Sequence, residues 1–266
     1  MKNKYDIRFI IFAVTFALSC LTVSTNRISG YFGYSTTDIL LLKYAVVFCC
    51  VFAAALFNKS NAQKMVNFTC ICNIAIIFLF IFDFYIFNIS GTEEYYRMWW
   101  ICIIFIANAG FYSGLALCFD SDFFTLSKKY WLGFTPTYFA TFLIVFLRLN
   151  TKYFSVNFEI GKGLFSYTDY MISNFHSNTW PVFDLAGNIA FFIPVVFMVK
   201  SFFTKLNDLT ALLVSLTVPF IIEGYQFIFK CGAVDIDDII TNCSGIIIGF
   251  IFLQIFKKMY RNKTAV

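Results

Sequence analysis

A carboxyl group within an apolar run is the most unusual chemical feature of the sequence. Glu223 lies about 9 Å before the end of a run that closes at Phe229, for a helix that rises 1.5 Å per residue. An ionisable side chain at that depth is costly in hydrocarbon, so it must face protein or a water-filled cavity. At 100° per residue, one narrow stripe of this helix carries Ser215, Pro219, Glu223, Gln226 and Lys230. Pro219 cannot donate to the carbonyl of Ser215, which predicts a kinked and more polar face there.

Acidic and amide residues recur along the next predicted helix. If residues 235–249 continue as a helix, a stripe about 80° wide contains Asp235, Asp238, Asn242, Gly245 and Gly249. Asp237 then points to the opposite side, and the two glycines allow another helix to approach closely. For any one of Asp235, Asp237 and Asp238, capping of the helix N-terminus is the simple alternative to a role in a site.

The apolar run before these two begins with a further amide. Asn188 lies about one turn inside that run, and Pro194 lies further in. Three successive helices therefore bring five polar side chains to a similar depth, namely Asn188, Glu223, Gln226, Asp238 and Asn242. We expect these residues, with Asp235, to form one binding site.

The amino-acid composition indicates the class of protein in which these polar residues lie. Of the 266 residues, 60% are hydrophobic and 13% are charged, and the mean hydropathy is +0.76. Soluble domains carry about 25% charged residues, so this chain is predicted to be a polytopic membrane protein. The composition excludes a nucleic-acid-binding domain, a disulfide-stapled secreted domain and a disordered tail. Most of the nine cysteines lie in apolar runs without the spacing of a zinc site, and no cofactor is indicated.

Apolar stretches long enough for membrane spans recur along the chain and predict an all-α bundle of about eight transmembrane helices. They cover residues 9–23, 39–57, 68–87, 98–119, 130–147, 185–203, 209–229 and 239–256. Most of the 20 Lys and Arg residues fall on one side, which predicts that both termini are cytoplasmic. A cleaved secretory signal is the alternative for the first stretch. Asn73 and Asn108 interrupt early stretches, where we expect an interhelical hydrogen bond.

The late polar segments closely resemble the VanZ-like family, whose members carry the patterns N-x3-F-x-P-x-G, E-x2-Q and D-[IV]-x-D-x3-N-x2-G. The matching residues are Asn188, Phe192 and Pro194, then Glu223 and Gln226, then Asp235, Asp238, Asn242 and Gly245. The stretch Val156-Asn157-Phe158 is similar in part to the Asn-Leu-x-Pro-Phe stretch of the family. Val196 replaces a usual Gly, and residues 232–234 lack a common Arg.

The resemblance divides the chain into three parts and implies a function. It covers residues 130–257 as a four-span domain, after a four-span region of unknown role at 1–129 and before a basic cytoplasmic tail at 258–266. It implies a multi-pass protein of the bacterial plasma membrane, and some relatives are associated with resistance to teicoplanin. We therefore expect an outward-facing polar site that lowers sensitivity to such lipoglycopeptides or acts on cell-envelope components. Membrane lipids and either a cell-wall precursor or a lipoglycopeptide are the expected partners.

Other functions fit the same residues. In an intramembrane enzyme acting on a lipid-linked or cell-wall substrate, Glu223 would be the general acid and Asp238 or Asp235 the base. The same oxygen atoms, with Asn188 and Asn242, suit calcium or magnesium, although no metal is assigned. Pro194 and Pro219 would mark broken helices in a transporter. The simplest alternative is that the polar residues only lock helices together, at about 0.6 kcal/mol for each hydrogen bond.

Overall fold

The protein is an assembly of helices with two short strands. The computed structural model describes residues 6–21, 36–87, 94–118, 123–145, 154–158 and 180–264. The predicted all-α class is confirmed. The helices are α1 Ile7–Leu21, α2 Thr36–Phe57, α3 Ala62–Phe87, α4 Glu94–Cys118, α5 Phe123–Val145, α6 Trp180–Phe192, α7 Val195–Phe202, α8 Asp208–Phe229 and α9 Ile236–Thr264. A 3-10 turn at Lys59–Asn61 precedes α3, and the strands are β1 Phe154–Asn157 and β2 Gly232–Asp235.

Three helical segments among the described residues are long and apolar enough to cross a membrane. They are Leu185–Phe202, Asp208–Phe229 and Ile236–Met259. Shorter apolar helices occur at Ile7–Ser19, Lys43–Phe57 and Ile104–Leu117. The count of about eight spans therefore stays a prediction.

The chain forms two compact units, Met1–Thr137 and Tyr138–Val266. In the first unit, the fully buried rings of Phe12, Phe16 and Phe111 pack against one another, with centroids 5.3 Å apart for Phe12 and Phe111. Tyr130 continues this aromatic core, at 5.5 Å from Phe111. Such ring clusters bury large apolar areas and hold the first unit together.

A reciprocal hydrogen bond joins α3 and α4 inside the first unit. Asn73 Nδ2 donates to Asn108 Oδ1 at 3.0 Å, and Asn108 Nδ2 donates to Asn73 Oδ1 at 3.1 Å. The Tyr130 hydroxyl also donates to Asn108 Oδ1, at 3.1 Å. The predicted interhelical bond between the two asparagines is therefore confirmed.

A second set of polar contacts fixes the start of α1 to the turn between α2 and α3. Asn58 Nδ2 donates to the carbonyls of Arg8 and Ala54, at 2.8 and 2.9 Å. Asn61 Nδ2 donates to Asp6 Oδ2 at 2.5 Å. This bond and the one from the Arg8 backbone N–H lower the pKa of the Asp6 carboxyl group.

In the second unit, Pro194 separates α6 from α7. A proline has no N–H to donate and crowds the preceding turn, so α6 ends at Phe192 and α7 begins at Val195. The Tyr138 hydroxyl donates to the carbonyl of Phe191 at 3.1 Å, and the two rings stack with centroids 4.6 Å apart. Tyr138 therefore supports the chain next to the break.

The α8 helix continues through Pro219 without interruption. It extends from Asp208 to Phe229 with Pro219 buried inside it. The proline ring is accommodated against the rest of the unit, and Ser215 donates its hydroxyl to the carbonyl of Ala211 at 2.7 Å. Of the two prolines that sequence analysis linked to broken helices, only Pro194 marks a break.

The two strands correct the sequence analysis, which contained no strand. Strands β1 and β2 pair in parallel, with Phe154 opposite Gly232 and Asn157 opposite Asp235. Asp235 is thus the last residue of β2, and the predicted helix begins one residue later, at Ile236. The partial match at residues 156–158 overlaps β1, which lies directly beside β2.

Glycines hold α9 against α6. A methyl group at Gly245 would overlap the carbonyl oxygen of Ile189, and one at Gly249 would overlap that of Ile193. The predicted role of these glycines in close helix packing is therefore supported by the structure.

We predict that Gly245→Ala destabilises the protein by about 1–3 kcal/mol, because the α6 backbone must move to admit the methyl group. Gly224→Ala is the matched control, since nothing lies within 4 Å of a methyl group at that position. Thermal unfolding of the detergent-purified chain measures both. Equal behaviour of the two variants would contradict the close approach.

Candidate functional site

The site is built around the end of α8. Glu223 is 5% exposed, and its Oε2 accepts a hydrogen bond from the backbone N–H of Asp235 at 3.2 Å. Among the described residues, Oε1 of Glu223 has no hydrogen-bond partner. Asp235 and Asp238 both lie within electrostatic range of this carboxyl group. Glu223 therefore lies close to the start of α9, as expected.

A left-handed residue ends α8 and turns the chain toward that contact. Lys230 has φ 50° and ψ 48°, which costs a residue with a Cβ about 1–2 kcal/mol. Its N–H and that of Cys231 both donate to the carbonyl of Gln226, the latter at 3.0 Å. The chain then enters β2, which brings Asp235 back to Glu223. The Lys230 side chain is exposed.

Asp235 caps α9. Its Oδ1 accepts from the N–H of Asp237 at 3.0 Å, one residue after the helix begins. N-capping, the simple alternative, is therefore confirmed for Asp235. The backbone N–H of the same residue donates to Glu223. One residue thus connects the end of α8 with the start of α9.

A side-chain bond connects α9 with α6. Asn188 Nδ2 donates to Asp238 Oδ1 at 2.9 Å, and both residues are partly buried. Thr241 donates its hydroxyl to the carbonyl of Asp238 at 3.1 Å. Together with the bond between Asp235 and Glu223, this bond brings residues of α6, α8 and the start of α9 together.

Asn242 lies one turn further along α9 and is 1% exposed. Neither its Oδ1 nor its Nδ2 forms a hydrogen bond in the described structure. Gln226 is also buried, one turn beyond Glu223 on α8. We call the group Asn188, Glu223, Asp235, Asp238 and Asn242 the acidic end.

The opposite end of the same helices carries a charge cluster that sequence analysis missed. Asp208 accepts a hydrogen bond from Lys257 and one from Gln254 Nε2 at 3.1 Å, and Lys200 Nζ lies 3.3 Å from its Oδ1. Asn207 caps α8, with its Oδ1 accepting from the N–H of Thr210 at 2.8 Å. Asn207 and Asp208 directly precede an apolar run, and such an Asn-Asp pair predicts the start of a helix. We call Lys200, Asp208, Gln254 and Lys257 the basic end.

The acidic end offers hydrogen-bond acceptors without a built metal site. Among the described residues, no three acidic, histidine or cysteine side chains are grouped as metal ligands. The free groups are one carboxylate oxygen of Glu223 and both ends of the Asn242 amide. Such a group of convergent polar atoms within apolar walls can bind and orient a small polar molecule.

Three long apolar helices with buried polar groups and charged ends define a membrane protein. The family model VanZ/LLP1 matches residues 122–257, just over half of the chain, and the chain belongs to that family. No curated protein and no solved structure matches the chain. Val196, which replaces the usual Gly of the pattern, is fully buried.

We predict that Asn188 and Asp238 are energetically coupled. In a double-mutant cycle, Asn188→Ala and Asp238→Ala should show a coupling of about 0.6–1.7 kcal/mol, the range for hydrogen bonds between membrane helices. Reversible unfolding in mixed micelles provides the measurement. The same cycle with Asp237→Ala in place of Asp238→Ala should give almost none, and equal couplings would contradict the assigned bond.

Proposed function

We propose that the acidic end is a ligand site facing the outside of the cell, through which this protein lowers sensitivity to teicoplanin-type lipoglycopeptides or acts on cell-envelope components. The observation that carries the proposal is the buried amide of Asn242. Within the described part of the chain it forms no hydrogen bond, although it lies one turn from Asp238, which bonds to Asn188. Polar residues that served only to lock helices would pair with one another. An amide left unpaired in the fold favours a ligand instead.

The distribution of charge supports the orientation. Lys200, Lys205, Lys257 and Lys258 lie at or near the basic end, and Glu223, Asp235 and Asp238 lie at the other. Lysines concentrate on the cytoplasmic side of membrane proteins. We therefore propose that the basic end lies in the cytoplasm and the acidic end outside, in a multi-pass protein of the bacterial plasma membrane with both termini inside.

The partners proposed for this site are membrane lipids and either a cell-wall precursor or a lipoglycopeptide. Glu223 lies about 9 Å along its helix from Phe229, so a ligand that contacts it must enter the membrane. An amphiphile fits that requirement better than a freely soluble molecule. The exposed Phe227, Ile228 and Phe229 provide an apolar approach at the same end.

An intramembrane acid–base enzyme is the second candidate, favoured by the environment of Glu223. Its buried carboxyl group lies near two more exposed carboxyl groups, those of Asp235 and Asp238. Groups in such different surroundings suit separate acid and base roles. In this case Glu223 donates the proton, and Asp238 or Asp235 accepts one.

We predict that expression of the full chain raises the teicoplanin concentration needed to inhibit a sensitive bacterial host several-fold. Glu223→Gln should remove most of this protection, because it replaces the carboxyl group with an amide whose oxygen still accepts from Asp235. Gly224→Ala, the neighbouring residue with open space, is the control. Immunoblots of membrane fractions establish equal amounts. Unchanged susceptibility with the wild-type chain would overturn the proposal.

The same variant separates binding from catalysis. Loss of a general acid lowers a rate by about 10²–10⁴-fold. If Glu223→Gln abolishes turnover of isolated envelope lipids but leaves their binding intact, the enzymatic alternative is correct. Weakened binding without any turnover by the wild-type chain supports the ligand site.

We also predict that a green fluorescent protein fused after Val266 fluoresces, and that alkaline phosphatase fused there is inactive. Because α9 leads from the acidic end to the basic end, a cytoplasmic terminus places the acidic end outside. Active phosphatase with a dark fluorescent fusion would reverse the orientation.

A further inference from the structure

Three polar atoms of the acidic end form no hydrogen bond with any residue that the structure describes. They are Oε1 of Glu223 and the Oδ1 and Nδ2 atoms of Asn242. Both side chains are more than nine-tenths buried. Burying such groups without partners is unfavourable, so their arrangement indicates a molecule that supplies the missing bonds.

Helix geometry directs Asn242 toward the gap between α6 and α8. Asn242 follows Asp238 by one turn of α9 and is rotated from it by about 40°. Asp238 contacts α6 through Asn188 and lies within electrostatic range of Glu223 on α8, which accepts from the backbone of Asp235. Asn242 therefore lies one turn deeper on the face of α9 that borders the seam between α6 and α8.

Close packing closes the seam below Asn242. Gly245, the next residue on this face of α9, abuts the carbonyl of Ile189 and Cβ of Phe192. A ligand group that reaches Asn242 from the acidic end would therefore meet the close contact of α6 with α9 one turn further on.

The unpaired atoms specify the chemistry of that head group. Two of the three, Oε1 of Glu223 and Oδ1 of Asn242, can accept hydrogen bonds, and the first belongs to a carboxyl group with no ion-pair partner among the described residues. A protonated primary amine has three donors and one positive charge, and therefore serves both oxygens. Asn242 Nδ2 requires an acceptor close to that amine.

We propose that the acidic end binds a protonated primary amine with an oxygen atom two carbons away, as in an ethanolamine head group. The amine donates to Glu223 Oε1 and Asn242 Oδ1, and the neighbouring oxygen accepts from Asn242 Nδ2. This inference rests on the proposed function, because it concerns the same site. The molecule is either an amine-bearing membrane lipid or a free amine, and both present the same group.

The test compares head groups that have N–H donors with one that has none. The full chain, purified in detergent, is titrated with phosphatidylethanolamine, phosphatidylcholine of the same acyl chains, and water-soluble phosphoethanolamine, and its thermal unfolding is followed. Phosphatidylethanolamine should raise Tm, and phosphatidylcholine, whose nitrogen has no proton, should not. Stabilisation by the lipid alone assigns a membrane source, and stabilisation by phosphoethanolamine as well assigns the free amine. Equal shifts with the two lipids, or none with any amine, would overturn the proposal.

Two variants test the residues themselves. Asn242→Leu, of similar volume, should raise Tm without ligand by roughly 2–4 °C, because it removes unpaired polar atoms, and should abolish the amine-dependent shift. Glu223→Gln should weaken amine binding at least tenfold, whereas Asp208→Asn at the basic end should leave it unchanged. A lower Tm for Asn242→Leu without ligand, or amine binding retained by Glu223→Gln, contradicts the inference. If the amine does not bind but Glu223→Gln still removes teicoplanin protection, only this inference fails and the proposed function stands.

Discussion

The hydrogen bond from the Asp235 backbone to Glu223 is the contact on which the acidic end depends. It joins two helices that are consecutive in the chain at the point where one ends and the next begins. The turn at Lys230 and the pairing of β2 with β1 place the Asp235 N–H where Glu223 can accept from it. A buried carboxyl group needs such donors, and the backbone supplies one without another side chain.

The second unit is fixed at both ends by polar groups and in the middle by glycines. Asp208 connects α8 with α7 and α9 at the basic end, while Asn188 and Asp238 connect α6 with α9 at the acidic end. Between them Gly249 allows α9 to reach the backbone of Ile193. In hydrocarbon the hydrophobic effect does not drive helices together, so packing and hydrogen bonds of this kind must do so.

The sequence predicted the helical class and the polar stripe of α9, because helical periodicity and buried polar residues leave clear patterns. It also predicted the bond between Asn73 and Asn108. The strands were missed because four residues such as Gly232–Asp235 are too short to show an alternating pattern. The contacts of Asp208 were missed because Gln254 and Lys257 are distant in sequence, and their meeting depends on the lengths of α8 and α9. The unpaired state of Asn242 depends on every neighbour and has no signature in the sequence.

Lys230 places a positive charge at the end of α8, on the face that carries Glu223. It is exposed, and it lies within about 20° of Glu223 around the helix and about 10 Å along the axis. A glycine would adopt its left-handed backbone without strain, so the chain accepts that cost at a position where it displays an ammonium group. For the zwitterionic head group proposed above, entry with the amine first would bring its positive group to Glu223 and leave its negative group on the side of Lys230.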